Sequence, residues 1–278
     1  MTTPLLREPF TLLDGGLSTA LEEMGEHPSG LLWTAAALVD RPWVITEAHR
    51  RFVEAGADVV ITSSYQASVP GFVAAGLSAD EARRILASTT SVAQASGAMV
   101  VAASVGPFGA CLGDRSEYHG RYAASWDDVR TFHRERLEVL VDTGPDVFAI
   151  ETIPTAIEAE IVVEELRRLS SAPAWVTFTC VDDLHTCGLD LLADAVDRVD
   201  DAVQAVGVNC TTPSHVTPLL ASLRTSLPLV VYPNHFAEFD LVSLVPSWLE
   251  AGARIIGGCC GVGTKGIRSL ATLRASLA

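Results

Sequence analysis

A chain of 278 residues that is 49% hydrophobic and 19% charged holds enough apolar material for one large core, which excludes a disordered chain. Its formal net charge of −15, with Lys265 as the lone lysine among 19 basic residues, offers no basic stripe to a phosphate backbone, so no nucleic-acid partner is expected. No apolar run approaches the ~20 residues that span a bilayer, and the opening MTTPLLREPFTLLDGG meets an acid too early for a secretory signal; a soluble cytoplasmic protein without a membrane partner is expected.

Eight short runs rich in Val, Ile and Phe follow one another, none with strict period-two alternation, as strands buried on both faces require. The first is FTLLDGG (10–16), after which Pro42 opens a helix that ends in the joint EAGAD (54–58) and enters ADVVITSS (57–64). Ser78 with Glu81 forms a capping box that starts a helix reaching toward Gly97, and MVVAASVG (99–106) follows. The stretch PFGACLGDRSEYHGRYAAS is longer and more polar than the other connections and reads as a loop over the mouth of the fold. Ser125 with Asp128 imitates a capping box, and the joint DTGPD (142–146) leads into DVFAIET (146–152). AWVTFTC (174–180), AVGVNC (205–210) and LPLVVYPN (227–234) come next, and the joint EAGAR (250–254) enters ARIIGGCC (253–260).

The unit is a β/α repeat. Eight such units in about 250 residues match a closed (β/α)8 TIM barrel of the α/β class better than an open doubly wound sheet. No linker interrupts the pattern, so one domain over residues 1–278, with its core at about 10–275, is expected.

Working residues of such barrels sit where strands end at their carboxyl side. The first run ends at Asp14 and Gly15, the second at Ser63 and Tyr65, the fourth at Glu151, the sixth at Asn209 and Cys210, the seventh at Tyr232 and Asn234, and the eighth at Cys259 and Cys260. Three thiolates from two strands are soft ligands suited to Zn²⁺, leaving the fourth tetrahedral position for a substrate. The alternatives are a small buried hydrophobe for any one cysteine, the expected role of Cys111, Cys180 and Cys187, and a strained vicinal disulfide for the adjacent pair. Asp14 and Glu151 read either as turn formers or as acids that meet a cation. The seven histidines show no metal spacing and read as surface or capping residues; GVGTKG lacks the Walker order of Gly before Lys.

LLDGGLSTALEEMG, ITSSYQAS, SVGPFGACLGDRSEYHG, IET, GVNC, VVYPN and GGCCG occur in that order from about residue 10 to 275 and together resemble the homocysteine S-methyltransferase family. The resemblance implies a zinc-dependent barrel, without corrinoid, that methylates the thiol of homocysteine to give methionine. It implies Cys210, Cys259 and Cys260 as zinc ligands and Asp14 and Glu151 as the acids that handle the ammonium of the amino acid. It further implies that Gly15, Ser63, Tyr65 and Tyr232 line the pocket and that Asn209, counted with them among the substrate-binding residues, orients the metal loop. The implied methyl donor is a sulfonium, S-methylmethionine or S-adenosylmethionine, whose charge suits an acidic mouth lined by aromatic rings.

Two stretches depart from the family pattern. YPNHFAEFDLVSLVPSW passes from the seventh strand almost directly into a helix, leaving His235 or Phe236 to reshape the pocket, and DDLHTCGLDL (182–191) lacks the usual turn after the fifth. Because both lie at the mouth, a different thiol or selenol acceptor, another reaction at the zinc site, and a non-catalytic zinc or amino-acid binder are the competing readings.

Overall fold

The computed structural model describes residues 6–27, 35–234 and 240–277. In chain order these form β1 (Thr11–Leu12), α1 (Leu17–Glu23), α2 (Ala36–Asp40), α3 (Pro42–Ala55), β2 (Val59–Ile61), α4 (Val69–Ala74), α5 (Ala79–Gln94) and β3 (Val100–Val105). Then follow α6 (Trp126–Asp142), β4 (Val147–Ile153), α7 (Ala156–Leu169), β5 (Ala174–Phe178), α8 (Leu192–Asp197), β6 (Ala205–Asn209), α9 (Pro213–Ser222), β7 (Leu229–Tyr232), α10 (Leu241–Glu250), β8 (Ala253–Ile256) and α11 (Thr264–Leu277). No helix among the described residues is long and apolar enough to cross a membrane.

All eight strands run parallel, in the order β1-β8-β7-β6-β5-β4-β3-β2. A parallel bridge between Leu13 and Val59, with Asp14 N donating to Val59 O at 3.0 Å, brings the two ends of the sheet together into the expected barrel. Its strands are buried on both faces because each serves two cores. Inside, Leu13, Val59, Val147, Trp175, Val230 and Ile255 fill the lumen; outside, residues such as Phe148, Val176, Val208 and Val231 pack against the helices. Each fully buried aliphatic side chain contributes about 1.5–3 kcal/mol, so the continuous apolar runs are the main source of stability.

The helix starts follow their sequence signals. Both capping boxes form, Ser78 with Glu81 and Ser125 with Asp128, and Pro42 occupies the first turn of α3. At the first joint Gly56 adopts φ 111°, a left-handed turn that a side chain would strain, and the chain swings directly into β2.

Two expectations need correction. The hydrogen-bonded ladders are shorter than the apolar runs, most visibly for β1 and β8, because the last residues of those runs leave the sheet to build the rim. His49 and His133 have no exposure at all and belong to the core, where they face Asp14 and Glu158, whereas the sequence placed the histidines at the surface. A helical apolar face tolerates a histidine when a buried carboxylate stands opposite it, a pairing that residue order does not reveal.

Candidate active site

The three sulfurs converge at the carboxyl rim: the Sγ atoms of Cys210, Cys259 and Cys260 all lie within 4.8 Å of one another. The two strands achieve this differently. Cys210 takes φ 48°, an uncommon conformation for a residue with a side chain, directly after the last ladder residue of β6. Its N–H donates to Tyr232 O at 3.2 Å, its carbonyl accepts from Thr179 Oγ1 at 3.1 Å, and its strained backbone is thereby fixed. Cys259 and Cys260 instead follow glycines: a Cβ at Gly258 would lie 2.3 Å from Val262 Cβ, so only glycine lets the turn fold back on itself. Cys259 N donates to Pro233 O at 2.8 Å and sets the direction of the pair.

Asn209, fully buried, braces this rim from behind. Its Oδ1 accepts from Thr152 N and its Nδ2 donates to Thr152 Oγ1, both at 2.7 Å. Thr152 itself has φ 60°, and the β4–β5 register shifts between Ile150 and Ile153. The clamp therefore couples the irregular end of β4, which presents Glu151, to the residue preceding Cys210. Asn209 stands behind the cavity wall and is not among the residues that line it.

Three thiols this close cannot ionise together without a cation. Hydrogen bonds from Cys210 and then Cys259 hold the Cys260 thiol far below its ordinary value, and its sharing with Cys210 and Cys260 pushes Cys259 far up. One negative charge delocalised over three soft sulfurs is a donor set that fits a thiophilic metal ion, whose charge removes the remaining protons.

Beside the sulfurs lies a cavity of about 380 Å³. Asp14, Gly15, Ser63, Tyr65, Glu151 and Tyr232 line it. Asp14 Oδ2 accepts from Ile61 N at 2.9 Å and lies 3.8 Å from His49 Nδ1; burial raises its carboxyl despite both. Glu151 accepts from Ser104 Oγ, and burial pushes its carboxyl up to about 7, with the nearby charge of Asp14 adding to the rise and Ser104 opposing it. Tyr232 shares its hydroxyl with Thr177 Oγ1 at 2.8 Å and with the Trp175 indole at 3.3 Å, which fixes its ring. Two buried acids that pair with no Lys or Arg side chain among the described residues are suited to receive a positive group.

The long connection after β3 does cover the mouth and supplies residues that the strand-end search did not reach. Arg115, Glu117 and Tyr118 line the cavity, and the Tyr118 hydroxyl pairs with Cys210 Sγ at 3.5 Å. The signal was the polar SEY triplet inside a loop already placed over the barrel. His235 and Phe236 lie outside the described residues. GVGTKG holds no phosphate loop, since Glu23 accepts from Thr264 Oγ1 at 2.9 Å and already occupies the start of α11.

Residues 11–273 match the family model described as homocysteine S-methyltransferase. The chain is 36% identical to the homocysteine S-methyltransferase YbgG of Bacillus subtilis, covering 97% of this chain and 96% of that one. It is 38% identical to the homocysteine S-methyltransferase of Escherichia coli, covering 91% and 92%. The crystal structure of the metallated form of the Escherichia coli homocysteine methyltransferase MmuM superposes with a TM-score of 0.89 at 38% identity over 96% of both chains.

Proposed function

The chain belongs to the homocysteine S-methyltransferase family, and from that premise we propose a zinc-dependent transfer of a methyl group from a sulfonium donor, S-methylmethionine or S-adenosylmethionine, to the thiol of L-homocysteine, giving methionine. The observation that carries the reading is the convergence of Cys210, Cys259 and Cys260 within 4.8 Å beside a cavity lined by two buried carboxylates.

Cys210, Cys259 and Cys260 would hold the zinc, which when bound supplies the deprotonation that a free thiol near pKa 8.5 lacks at neutral pH. Asp14 and Glu151 receive the ammonium of homocysteine; an ammonium beside Glu151 draws its carboxyl back down and keeps it ionised. The Asn209–Thr152 clamp keeps that acid in register with the sulfurs, so the thiol end and the ammonium end of one small molecule are read at a fixed separation. The rings of Tyr65, Tyr118 and Tyr232 present aromatic faces to the sulfonium, whose charge disappears as the methyl leaves. The loop carrying Tyr118 keeps water from competing for the methyl group.

The test is zinc content measured together with homocysteine-dependent methionine formation, with both donors in parallel, for the wild type and Cys259→Ser. One zinc per chain and turnover, both lost in the variant, are expected. Zinc without turnover from either donor moves the acceptor to another thiol or selenol, and a metal-free wild type overturns the zinc site.

A further inference from the structure

The reaction brings together two amino acids, yet Asp14 and Glu151 account for the ammonium of one. Three acidic residues line the cavity, Asp14, Glu151 and Glu117, together with Arg115, which is also open to solvent. The latter two come from the loop between β3 and α6. Glu117 is half-buried, its Oε2 is shut off from solvent, and that oxygen has no hydrogen-bond partner among the described residues. Arg115, at φ 66°, lies two residues before it and enters no ion pair among the described residues. An unpaired buried carboxylate oxygen is costly unless a cation arrives, and burial accordingly raises the Glu117 carboxyl.

The loop is held in place from both ends by a group outside the cavity. Glu158 in α7, with no exposure, accepts from Phe108 N at 2.6 Å and from the Tyr122 hydroxyl at 2.6 Å, and pairs with His133 Nε2 at 3.0 Å. Arg136 ties the preceding Gly106 carbonyl at 3.0 Å, and Gln66 Nε2 donates to Ala110 O at 2.9 Å. Gly109 packs so closely on the segment that follows that a Cβ there would lie 2.4 Å from Glu117 N. Glu117 and Arg115 are thus presented by a fastened loop, with Tyr118 beside them reaching the sulfurs.

We propose that this loop recognises the α-amino-acid end of the methyl donor, Glu117 taking its ammonium and Arg115 its carboxylate, while Asp14 and Glu151 keep the ammonium of homocysteine. The inference rests on the methyl-transfer reading above. It divides the cavity by charge: Asp14 and Glu151 face one ammonium, Glu117 faces the other, and the sulfonium is left to the tyrosine rings and the sulfurs. S-methylmethionine and S-adenosylmethionine share the same amino-acid end, so both meet the same two residues.

The test uses the zinc-loaded enzyme and the variants Glu117→Gln, Glu117→Asp and Arg115→Gln, with donor varied at saturating homocysteine and the reverse. Glu117→Gln is expected to raise the KM of each donor at least ~10-fold and to change the KM of homocysteine less than ~2-fold, with zinc content and melting temperature unaltered. Glu117→Asp recovers part of the loss, and Arg115→Gln raises the donor KM in the same direction. A homocysteine KM that rises as much as the donor KM, or a donor KM unchanged in Glu117→Gln and Arg115→Gln, overturns the assignment while wild-type turnover leaves the methyl-transfer reading intact. A wild type that transfers no methyl group from either donor overturns both.

Discussion

Asp14 and Asp58 flank the same β1–β2 seam and are both nearly sealed from water, at 3% and 7% exposure, but their surroundings are opposite. Asp58, at the amino end of β2, accepts from Leu12 N at 2.9 Å, pairs with Arg274 from α11 and lies 3.6 Å from Arg7. Asp14, at the carboxyl end of β1, has one backbone donor and a histidine 3.8 Å away, and burial raises its carboxyl. At the floor of the barrel, charge is compensated within the chain and ties the seam together. At the rim compensation is left incomplete, which destabilises the empty fold slightly and reserves the group for a cationic ligand.

The rim breaks most completely at the sulfurs. Cys259→Ser is expected to lose the bound metal ion and at least ~1,000-fold in turnover, because a neutral hydroxyl replaces a soft anionic ligand, with far-UV circular dichroism unchanged. Next come the two aspartates as a pair. Asp14→Asn lowers kcat/KM for homocysteine roughly 100-fold without lowering the unfolding free energy, since it removes a buried charge that lacks a firm partner. Asp58→Asn does the reverse, lowering stability by about 2–3 kcal/mol in urea titrations by leaving Arg274 unpaired, with kcat/KM of the folded protein within about 2-fold. Equal loss of activity in both would erase the distinction between floor and rim. Asn209→Ala removes both hydrogen bonds to Thr152 and is expected to weaken metal retention or turnover about 10–100-fold, read by chelator competition and initial rates.

The two regions were unequally legible in the sequence. The floor and walls follow from local signals, since apolar runs, capping boxes and the EAGAD-type joints each act over a few residues. The sulfur cluster was also legible, because strand ends in a repeating β/α unit share one rim and Cys210, Cys259 and Cys260 are strand ends. What residue order conceals is backbone geometry that no residue type announces: the left-handed Cys210 and Thr152 are not glycines, and Asn209 stabilises them through a partner 57 residues away. The same holds for the loop. Its position over the mouth follows from its length, but Tyr118 meeting Cys210 depends on Glu158 gathering Phe108 and Tyr122, a convergence from three separate stretches.

The most gradual expected effect is also the most direct reading of an uncompensated rim. In the substrate-free enzyme the Glu151 carboxyl sits at about 7 against an ordinary value of 4.5, chiefly because burial penalises its charge. Between those values the folded state keeps a proton that the unfolded state has released, so the stabilisation is complete below about 4.5 and is lost as pH rises through about 7, at most ~1.4 kcal/mol per pH unit. Glu151→Gln lacks this titration. Urea unfolding of both proteins from pH 4.5 to 8 is expected to show the variant gaining on the wild type across the window and levelling above it. Saturating homocysteine is expected to flatten the wild-type slope, since its ammonium supplies the charge that Glu151 lacks in the empty cavity. Parallel curves for the two proteins would place the proton elsewhere and leave Asp14 as the acid that separates rim from floor.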